Sequence, residues 1–482
     1  MSKNDTDTPE QDIQNIFRQL NVENLSYCHW KSNSHLNDSF SGETDFDLLV
    51  AQKDADEFRR VLTKYGMKRR WSTADKAYSF MEDYIGFHEP SGAMYHFHIH
   101  YKIITGQRYD KNYVLPFSDQ VLSSTIDNAN YTIKTSNPEW ELALLLIRIA
   151  LKTQPTLRNF VKVLAGKNIA PSNIDEEYEY LLEKADLAKS KSYLDDFFGA
   201  SSLISQLPDI VNLTGRIEKS SLRGLADFFS FILLRMQVLS KLANHRCRTG
   251  TEHRREKRAR GIYKTISVRS GSKGGIRVAF IGADGAGKSS TIEIISKWLS
   301  WKYSVSSLYM GIPKNHSGVI ALRRLAGLTR KLGMGKFGQF IMELQWVYIA
   351  YLRYRLHVRS IQASNTGKIV IFDRHPHAAF SEMKEPMDGS RVAKESPLKS
   401  LEERLYSRID PPDAFFVLNV DLETSVARKP EHGTEATKKM IQTKISAIDV
   451  LCRSENNAVV IDSCRHRDLV LRDIKKALWG FL

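Results

Sequence analysis

The feature that most constrains this chain is the segment from Ile276 to Trp301, which combines a predicted strand, a glycine-rich loop and a predicted helix. The apolar run at 278–281 is typical of a buried strand, and apolar residues at helical spacing over 292–299 indicate an amphipathic helix. The loop between them has the pattern G-x-x-x-x-G-K-[ST] and reads Gly282-Ala283-Asp284-Gly285-Ala286-Gly287-Lys288-Ser289. Its glycines allow successive N–H groups to point at one anion, and the following helix adds the positive end of its dipole. The segment therefore predicts a phosphate-binding loop rather than an ordinary glycine turn.

This loop assigns roles to particular side chains. Lys288 is expected to contact the β- and γ-phosphate oxygens of a nucleoside triphosphate, and the Ser289 hydroxyl to join a magnesium shell. We therefore expect ATP and Mg²⁺ as cofactors. The expected nucleotide-binding residues are Gly282, Gly285, Ala286, Gly287, Lys288, Ser289 and Ser290.

Length and composition set the remaining bounds. The chain has 482 residues, which is too long for one hydrophobic core and predicts two or three domains. No apolar run approaches the roughly 18 residues that a membrane span requires, and Met1 to Gln11 lacks the apolar segment of a secretory signal. The four cysteines show neither metal-binding spacing nor a disulfide framework, so we expect a cytoplasmic protein. The net charge of +15 suggests polyanionic partners or an anionic membrane surface.

The C-terminal half alternates predicted strands and helices, a pattern that indicates a parallel sheet with helices on both faces. The expected strands after the loop are Val305 to Met310, Lys368 to Phe372, Ala414 to Val420 and Ala458 to Asp462, and a long helix is expected at Gly338 to Ala363. Ligands of such sheets bind at the carboxyl ends of the strands. We expect Asp284, Asp373 and Arg374 to meet there.

Several motifs of this half resemble those of the thymidylate kinases over roughly residues 276–482. The loop, extended by Ser290, looks like their G-x-D-G-x-G-K-[ST]-[ST] sequence, and Asp373-Arg374-His375 is similar to their Asp-Arg-Tyr motif. A strand ending in Asp421, followed by Arg428, resembles their fourth strand and lid arginine. The resemblance implies a P-loop NTPase sheet. It also implies acceptor or metal contact by Asp284 and Asp373, acceptor-phosphate contact by Arg374 and lid closure by Arg428.

Two departures from that family concern the acceptor. Met310-Gly311-Ile312-Pro313 stands where the family has an Arg-Glu-Pro-Gly-type segment, and His375 replaces the usual tyrosine. We expect both changes to lie beside the acceptor and to leave the donor site intact. The acceptor is then a nucleoside monophosphate or a related phosphorylated or sugar compound.

The N-terminal segment contains a second candidate site. A helix is expected at Asp12 to Leu20, then a strand opened by Asp45 and Asp47, then a helix at Asp56 to Tyr65. The period of two along a strand puts both carboxylates on one face, where they could hold magnesium ions. The segment resembles the nucleotidyltransferase superfamily related to polymerase beta, which implies a small α+β domain.

That superfamily needs a third carboxylate on a later strand, and the expected strand, Met94 to Ile103, carries none. It carries His96, His98 and His100 on one face instead. Three imidazoles could bind a softer metal than magnesium. We favour the alternative of a polar, partly solvated strand face, which leaves the activity of this domain open.

The middle of the chain predicts helices, beginning at Asn137-Pro138 and including Glu176 to Ala188, Ser192 to Phe198 and Leu222 to Ala243. A basic stretch follows, which could lie on an anionic membrane or polyanion or serve as a solvated linker, the interpretation we favour. We therefore expect four parts: a nucleotidyltransferase-like α+β domain at 1–136, a helical region at 137–243, a basic linker at 244–275 and a thymidylate kinase-like α/β domain at 276–482.

The leading functional hypothesis is an ATP- and magnesium-dependent phosphotransferase. A fusion of these two domain types resembles bacterial proteins associated with cell-surface polysaccharide synthesis. Two alternatives remain: a non-catalytic nucleotide-binding regulatory or scaffold protein, and a nucleotidyltransferase that works through Asp45 and Asp47.

Overall fold

The structure is a computed structural model that divides the chain into two compact units, Met1–Ser267 and Val268–Leu482. The residues it describes are 8–72, 77–78, 80–107, 111–165, 167, 169, 174–200, 202–211, 221–247, 268–380, 389–428 and 434–482. Most of the expected basic linker, residues 248–267, therefore lies outside the described residues.

The first unit combines a sheet with a group of helices. Its strands are β1 (Tyr27–His29), β2 (Asp45–Val50), β3 (Lys68–Ser72), β4 (Met81–His88), β5 (Ala93–His100), β6 (Ile104–Thr105), β7 (Tyr113–Val114), β8 (Ile126–Asp127) and β9 (Lys134–Thr135). Its helices are α1 (Glu10–Val22), α2 (Leu36–Phe40), α3 (Ala55–Lys64), α4 (Ser118–Ser123), α5 (Pro138–Lys152), α6 (Leu157–Leu164), α7 (Ile174–Lys184), α8 (Leu187–Phe198), α9 (Leu207–Ile210) and α10 (Ser221–Lys241).

The main sheet of this unit contains the strand order β3-β4-β5-β2-β1-β9-β8. β2 and β5 run parallel and place Asp47 beside His98, while β4 runs antiparallel to β5 and places Asp83 on the other side of His98. Helix α1 closes the core with four buried side chains, as its apolar spacing predicts: Ile13, Ile16, Phe17 and Leu20. One row of the sheet thus contains Asp83, His98 and Asp47.

The expected helical region is present and begins where the sequence indicates. The Asn137 side chain accepts a hydrogen bond from the Trp140 N–H at 2.8 Å, and Pro138 occupies the first turn, where no N–H partner is needed. Apolar side chains of α5 share one core with Trp30 and Leu49 of the sheet region. These helices therefore pack on the sheet region within one unit.

The second unit is α/β. Its strands are β10 (Arg269–Ser270), β11 (Arg277–Gly282), β12 (Val305–Tyr309), β13 (Ile369–Asp373), β14 (Ala414–Asn419) and β15 (Ala458–Asp462). Its helices are α11 (Lys288–Ser300), α12 (Ser317–Lys331), α13 (Gly335–Asn365), α14 (Lys399–Tyr406), α15 (Leu422–Ala427), α16 (Glu435–Ser454) and α17 (Arg467–Phe481).

Strands β12-β13-β11-β14-β15 form one sheet in that order, and every neighbouring pair is parallel. The residues of β13 before Asp373 and most of β14 are fully buried, as expected for strands covered on two faces. The parallel α/β sheet predicted from the sequence is confirmed. Because the strands are parallel, the loops after β11, β12, β13 and β14 all leave from one edge of the sheet.

No helix among the described residues is long and apolar enough to cross a membrane. The last helix before the undescribed linker, α10, has two different faces. It buries Phe231, Leu234 and Val238, while Phe229 and Leu233 are exposed.

Candidate active site

The Gly282–Ser289 loop joins β11 to α11 at the carboxyl edge of the parallel sheet. Gly285 and Gly287 have φ angles of 81° and 83°, in the left-handed region that favours glycine. A Cβ atom on Gly285 would also lie 2.7 Å from the backbone oxygen of Ser425. The loop can therefore take this path only with glycine at position 285, because any side chain would clash with α15.

Lys288 points back into its own loop. Its ammonium donates hydrogen bonds to the carbonyl oxygens of Gly282 at 2.7 Å and Ala283 at 2.8 Å. Burial, and next the positive charge of Arg374, lower the pKa of Lys288 to about 8. The Lys288 ammonium is therefore placed where it could neutralise the charge of a polyphosphate bound in the loop.

Ser289 and Asp373 bring two oxygen ligands together. The Ser289 hydroxyl donates to the Asp373 carboxylate at 3.3 Å, and Asp373 is the last residue of β13, the neighbour of β11. Mg²⁺ binds oxygen ligands at about 2.0–2.1 Å, so two oxygens at this separation can be neighbours in its shell. These residues fit a magnesium ion.

The other two expected loop residues, Ala286 and Ser290, differ in exposure. Ala286 is buried beneath the loop. The exposed Ser290 side chain donates to the Gly287 carbonyl oxygen at 2.9 Å, inside the first turn of α11. Ser290 thereby stabilises the start of the helix.

Arg374 follows β13 and has an unusual backbone. Its φ angle is 71°, which is uncommon for a residue other than glycine, and its N–H donates to the Phe280 carbonyl oxygen at 3.2 Å. Its guanidinium lies 3.9 Å from the Asp284 carboxylate. The turn thus directs the side chain toward the loop, as expected for residues at this edge of the sheet.

Lys444 is a site residue that the sequence reasoning missed. It lies on α16, is almost fully buried and donates a hydrogen bond to the Asp284 carboxylate. Burial acts to raise the pKa of Asp284, but Lys444, together with Lys288 and Arg374, holds that pKa below its usual value. No motif surrounds Lys444, and nothing in its local sequence distinguishes it from the other lysines of α16.

Arg428 lies at the end of α15 and contacts backbone. It donates to the carbonyl oxygens of Gly285 at 3.4 Å and Ser463 at 2.8 Å. Residues 429–433, which would belong to the expected lid, lie outside the described residues. Arg428 itself borders the loop.

These side chains enclose one cleft of about 490 Å³. Its lining residues are Asp284, Gly285, Gly287, Lys288, Ser289, Ser290, Tyr309, Asp373, Arg374 and Arg428. The structure thus brings together every residue for which the resemblance implied a role in the C-terminal half.

The two departures from the thymidylate kinase pattern do not line this cleft but adjoin residues that do, because Met310 follows Tyr309 and His375 follows Arg374. Their place beside the acceptor stays a prediction. Met310 and His375 are both buried. The His375 ring packs against Phe372 and Phe415, its Nδ1 lies 2.8 Å from the Pro376 carbonyl oxygen, and burial lowers its pKa to about 3. His375 borders a second cavity of about 360 Å³, whose wall also includes Phe415.

The histidines of β5 form a polar cluster in the first unit that is mostly buried, although the His98 side chain stays 16% exposed. His100 and His96 are buried. His98 Nδ1 lies 2.6 Å and His96 Nε2 lies 2.9 Å from the same oxygen of Asp83. Asp83 of β4 thus places a carboxylate beside β5, at a position that the sequence reasoning did not consider.

Cationic side chains already contact this cluster. Lys31 Nζ lies 2.9 Å from Asp47, and Lys111 Nζ lies 2.7 Å from His98 Nε2. The nearest imidazole atom to Asp45 is His96 Nδ1 at 3.1 Å. Two sets could share a softer metal ion, Asp47 with His98 and His100, and Asp83 with His96 and His98. Magnesium binding by Asp45 and Asp47 stays a prediction, since Lys31 pairs with Asp47 and His96 borders Asp45.

Comparison with known proteins gives one similarity. No protein-family model matches the chain. The chain is 26% identical over 220 residues to the uncharacterised ATP-binding protein YghR of Escherichia coli strain K12, covering 42% of this chain and 86% of YghR. The same protein of Escherichia coli O6:H1 strain CFT073 matches with the same identity and coverage.

Proposed function

We propose that the second unit is a P-loop phosphotransferase of the thymidylate kinase-like group, which transfers the γ-phosphoryl group of ATP to a small acceptor with the help of Mg²⁺. The observation that carries this proposal is the convergence of Lys288, Ser289, Asp373 and Arg374 in one cleft beside the glycine-rich loop. A cytoplasmic location, where ATP is plentiful, is part of this proposal. The division of the chain into four parts, after residues 136, 243 and 275, is also part of this proposal.

The donor half of the cleft supports ATP as the phosphoryl donor. Gly285 and Gly287 allow the left-handed backbone of the phosphate-binding loop, and Lys288 supplies a buried positive charge. The similarity to a protein described as ATP-binding points in the same direction. Ser289 and Asp373 would hold the magnesium ion, which neutralises charge on the β- and γ-phosphates when bound.

The acceptor half is formed by Arg374, Asp284 and Lys444. Arg374 offers a planar cationic fork suited to a phosphate that the acceptor already carries. Asp284 stays ionised beside Lys444, so it can accept a hydrogen bond from an acceptor hydroxyl and orient it. In the transfer, an acceptor oxygen forms a bond to the γ-phosphorus, the bond to the β,γ-bridging oxygen breaks, and ADP leaves while the acceptor loses one proton.

Phosphoryl transfer requires mainly that the protein position the reacting groups and neutralise their negative charge. Phosphoryl transfer proceeds through a loose transition state whose charge lies on the phosphoryl oxygens, so cations near those oxygens account for most of the catalysis. Lys288, Arg374 and Arg428 all border the cleft. Their convergence favours phosphotransfer over nucleotide binding without turnover.

Nucleotidyl transfer by the first unit is supported less well. Its Asp47 carboxylate is paired with Lys31, and a histidine stands opposite Asp47 in the neighbouring strand. A reaction of this kind would release pyrophosphate rather than ADP, which separates the two proposals in one assay.

The test is a screen of acceptors with labelled ATP and mass-spectrometric detection of the phosphorylated product. Nucleoside monophosphates, sugar phosphates and free sugars form the panel, with ADP and pyrophosphate measured in parallel. The expected result is acceptor-dependent ADP release that Lys288→Ala abolishes and Lys297→Ala, an exposed lysine of the same helix, leaves unchanged. ATP binding without product from any acceptor would favour the regulatory or scaffold alternative.

A further inference from the structure

Helices α12 and α13 form an antiparallel hairpin joined by residues 332–334. The packing of α12 is almost entirely with α13. At their contact a Cβ atom on Gly338 would lie 3.0 Å from the Thr329 hydroxyl and 3.2 Å from the Ala326 carbonyl oxygen. The two helices therefore approach through small residues here, and several large apolar side chains near the turn are left exposed.

Exposed apolar side chains flank the turn of the hairpin on both helices, and we call them the hairpin patch. Its members are between 37% and 66% exposed: Leu325, Leu328, Leu332, Met334, Phe337, Phe340 and Leu344. Single exposed apolar residues are ordinary, whereas a group of this size within 20 consecutive residues marks an interaction surface.

The charge around the hairpin patch is of one sign. Residues 317–342 contain no Asp or Glu, and their charged side chains are Arg323, Arg324, Arg330, Lys331 and Lys336. All five are exposed. The first acid that follows, Glu343, is engaged by the Ser396 hydroxyl. An apolar surface among five exposed cations, whose one acid is hydrogen-bonded within the protein, matches an anionic lipid surface, where the apolar side chains enter the acyl boundary and the cations contact headgroup phosphates.

We propose that the hairpin patch docks this protein on an anionic phospholipid membrane as a peripheral contact. A second copy of the chain fits less well, because two identical patches would bring five positive charges against five without an acid between them.

The exposed face of α10 does not have the same character. It presents Phe229 and Leu233, but its 21 residues include Asp227, and the Arg235 side chain is turned inward to the carbonyl oxygens of α5 and Thr153. The hairpin patch is therefore the better match to an anionic surface among the described residues.

The experiment is co-sedimentation of the full chain with phosphatidylcholine vesicles and with vesicles that also contain phosphatidylglycerol. The double variant Leu328→Ser, Phe337→Ser removes apolar contact and leaves every basic residue, including those of the linker. The control is Leu401→Ser, which removes a similarly exposed leucine from α14. We expect binding to anionic vesicles only, at least about tenfold weaker in the double variant and unchanged in the control.

Amide hydrogen exchange provides a second readout that does not depend on a variant. Residues 320–344 should exchange more slowly in the presence of anionic vesicles than in their absence. Equal vesicle binding by the double variant and the wild type would overturn the proposal and assign binding to the basic linker. Equal binding to neutral vesicles, or a dimer that the double variant abolishes, would also overturn it.

Discussion

The Ser289 hydroxyl lies 3.3 Å from the Asp373 carboxylate although the two residues are 84 positions apart in the chain. The parallel pairing of β11 with β13 produces this contact, because it aligns Phe280 with Asp373 and so places the end of β13 beside the loop. The relationship gives the cleft a carboxylate and a hydroxyl that could share one cation.

Lys288→Ala should lower kcat/KM for ATP-dependent transfer roughly 100- to 1000-fold, because the loop contains no other side chain that can neutralise the β- and γ-phosphates. Its ammonium contacts only loop carbonyls at short range, so the fold should persist. Steady-state kinetics and circular dichroism check this, with Lys297→Ala as the matched control. Full turnover by Lys288→Ala would contradict a role of the loop in the reaction.

Gly285→Ala should destabilise the protein by about 1–3 kcal/mol and abolish ATP binding, because its φ of 81° and the nearby Ser425 backbone leave no room for a Cβ atom. Gly327→Ala is the control, since Gly327 lies within α12 and no atom lies within 4 Å of its Cβ position. That substitution should stabilise by about 0.4–1 kcal/mol. Denaturant unfolding and calorimetric ATP titration of both variants provide the comparison. Equal ATP affinity in Gly285→Ala and Gly327→Ala would show that ATP binding does not require this backbone conformation of the loop.

ATP affinity should fall as the pH rises through about 8. Burial and the charge of Arg374 lower the pKa of Lys288 to about 8 in the free protein, while a bound triphosphate favours the ammonium and raises that pKa. The free protein then loses this proton above that pH and the complex keeps it, so binding takes up a proton. The affinity should weaken by up to about tenfold per pH unit above this point.

Isothermal titration at about pH 7 and about pH 9, in two buffers with different ionisation heats, measures this proton uptake. Lys288→Arg provides the control, because a guanidinium does not titrate in this range. An unchanged Kd at both pH values in the wild type, with no proton uptake, would mean that Lys288 does not meet the polyphosphate.

Arg374→Lys should weaken acceptor binding by about 1–3 kcal/mol and leave the apparent affinity for ATP little changed, if the acceptor carries a phosphate. The substitution keeps the charge but loses the planar fork. Arg359→Lys, on the exposed side of α13, is the control. Separate KM values for ATP and acceptor decide the assignment. A raised ATP constant with an unchanged acceptor constant would place Arg374 in the donor site.

If the acceptor instead offers a sugar hydroxyl, Asp284→Asn or Asp373→Asn should lower kcat, because a carboxylate must then orient or deprotonate that hydroxyl.

The double substitution Asp45→Asn, Asp47→Asn should leave ATP-dependent phosphotransfer within about twofold of the wild type, because both residues belong to the first unit. It should lower stability by about 1–3 kcal/mol, because Lys31 loses its partner in a partly buried pair. Asp56→Asn, a highly exposed residue of α3, is the control. Loss of all ADP release at normal stability would move at least part of the chemistry to the first unit.

Local sequence determined the elements that build both candidate sites. The glycine-rich loop follows from residues adjacent in the chain, because glycine adopts the φ of 83° at position 287 without a steric penalty. The helix that begins at Asn137 and the strand that carries Asp45 and Asp47 follow from capping and from the alternation of apolar residues. Such signals act over a few residues, so one sequence was sufficient to find them.

Tertiary structure decided which of these side chains have partners. Lys444 reaches Asp284 from 160 positions away, and Asp83 meets His98 only because β4 pairs with β5 in one register. The hairpin patch is a further case, because α12 and α13 approach through small residues at Gly338 and several large apolar side chains near the turn are left exposed. Strand order, register and helix packing depend on the sum of many contacts between distant segments, and no local pattern of residues encodes that sum.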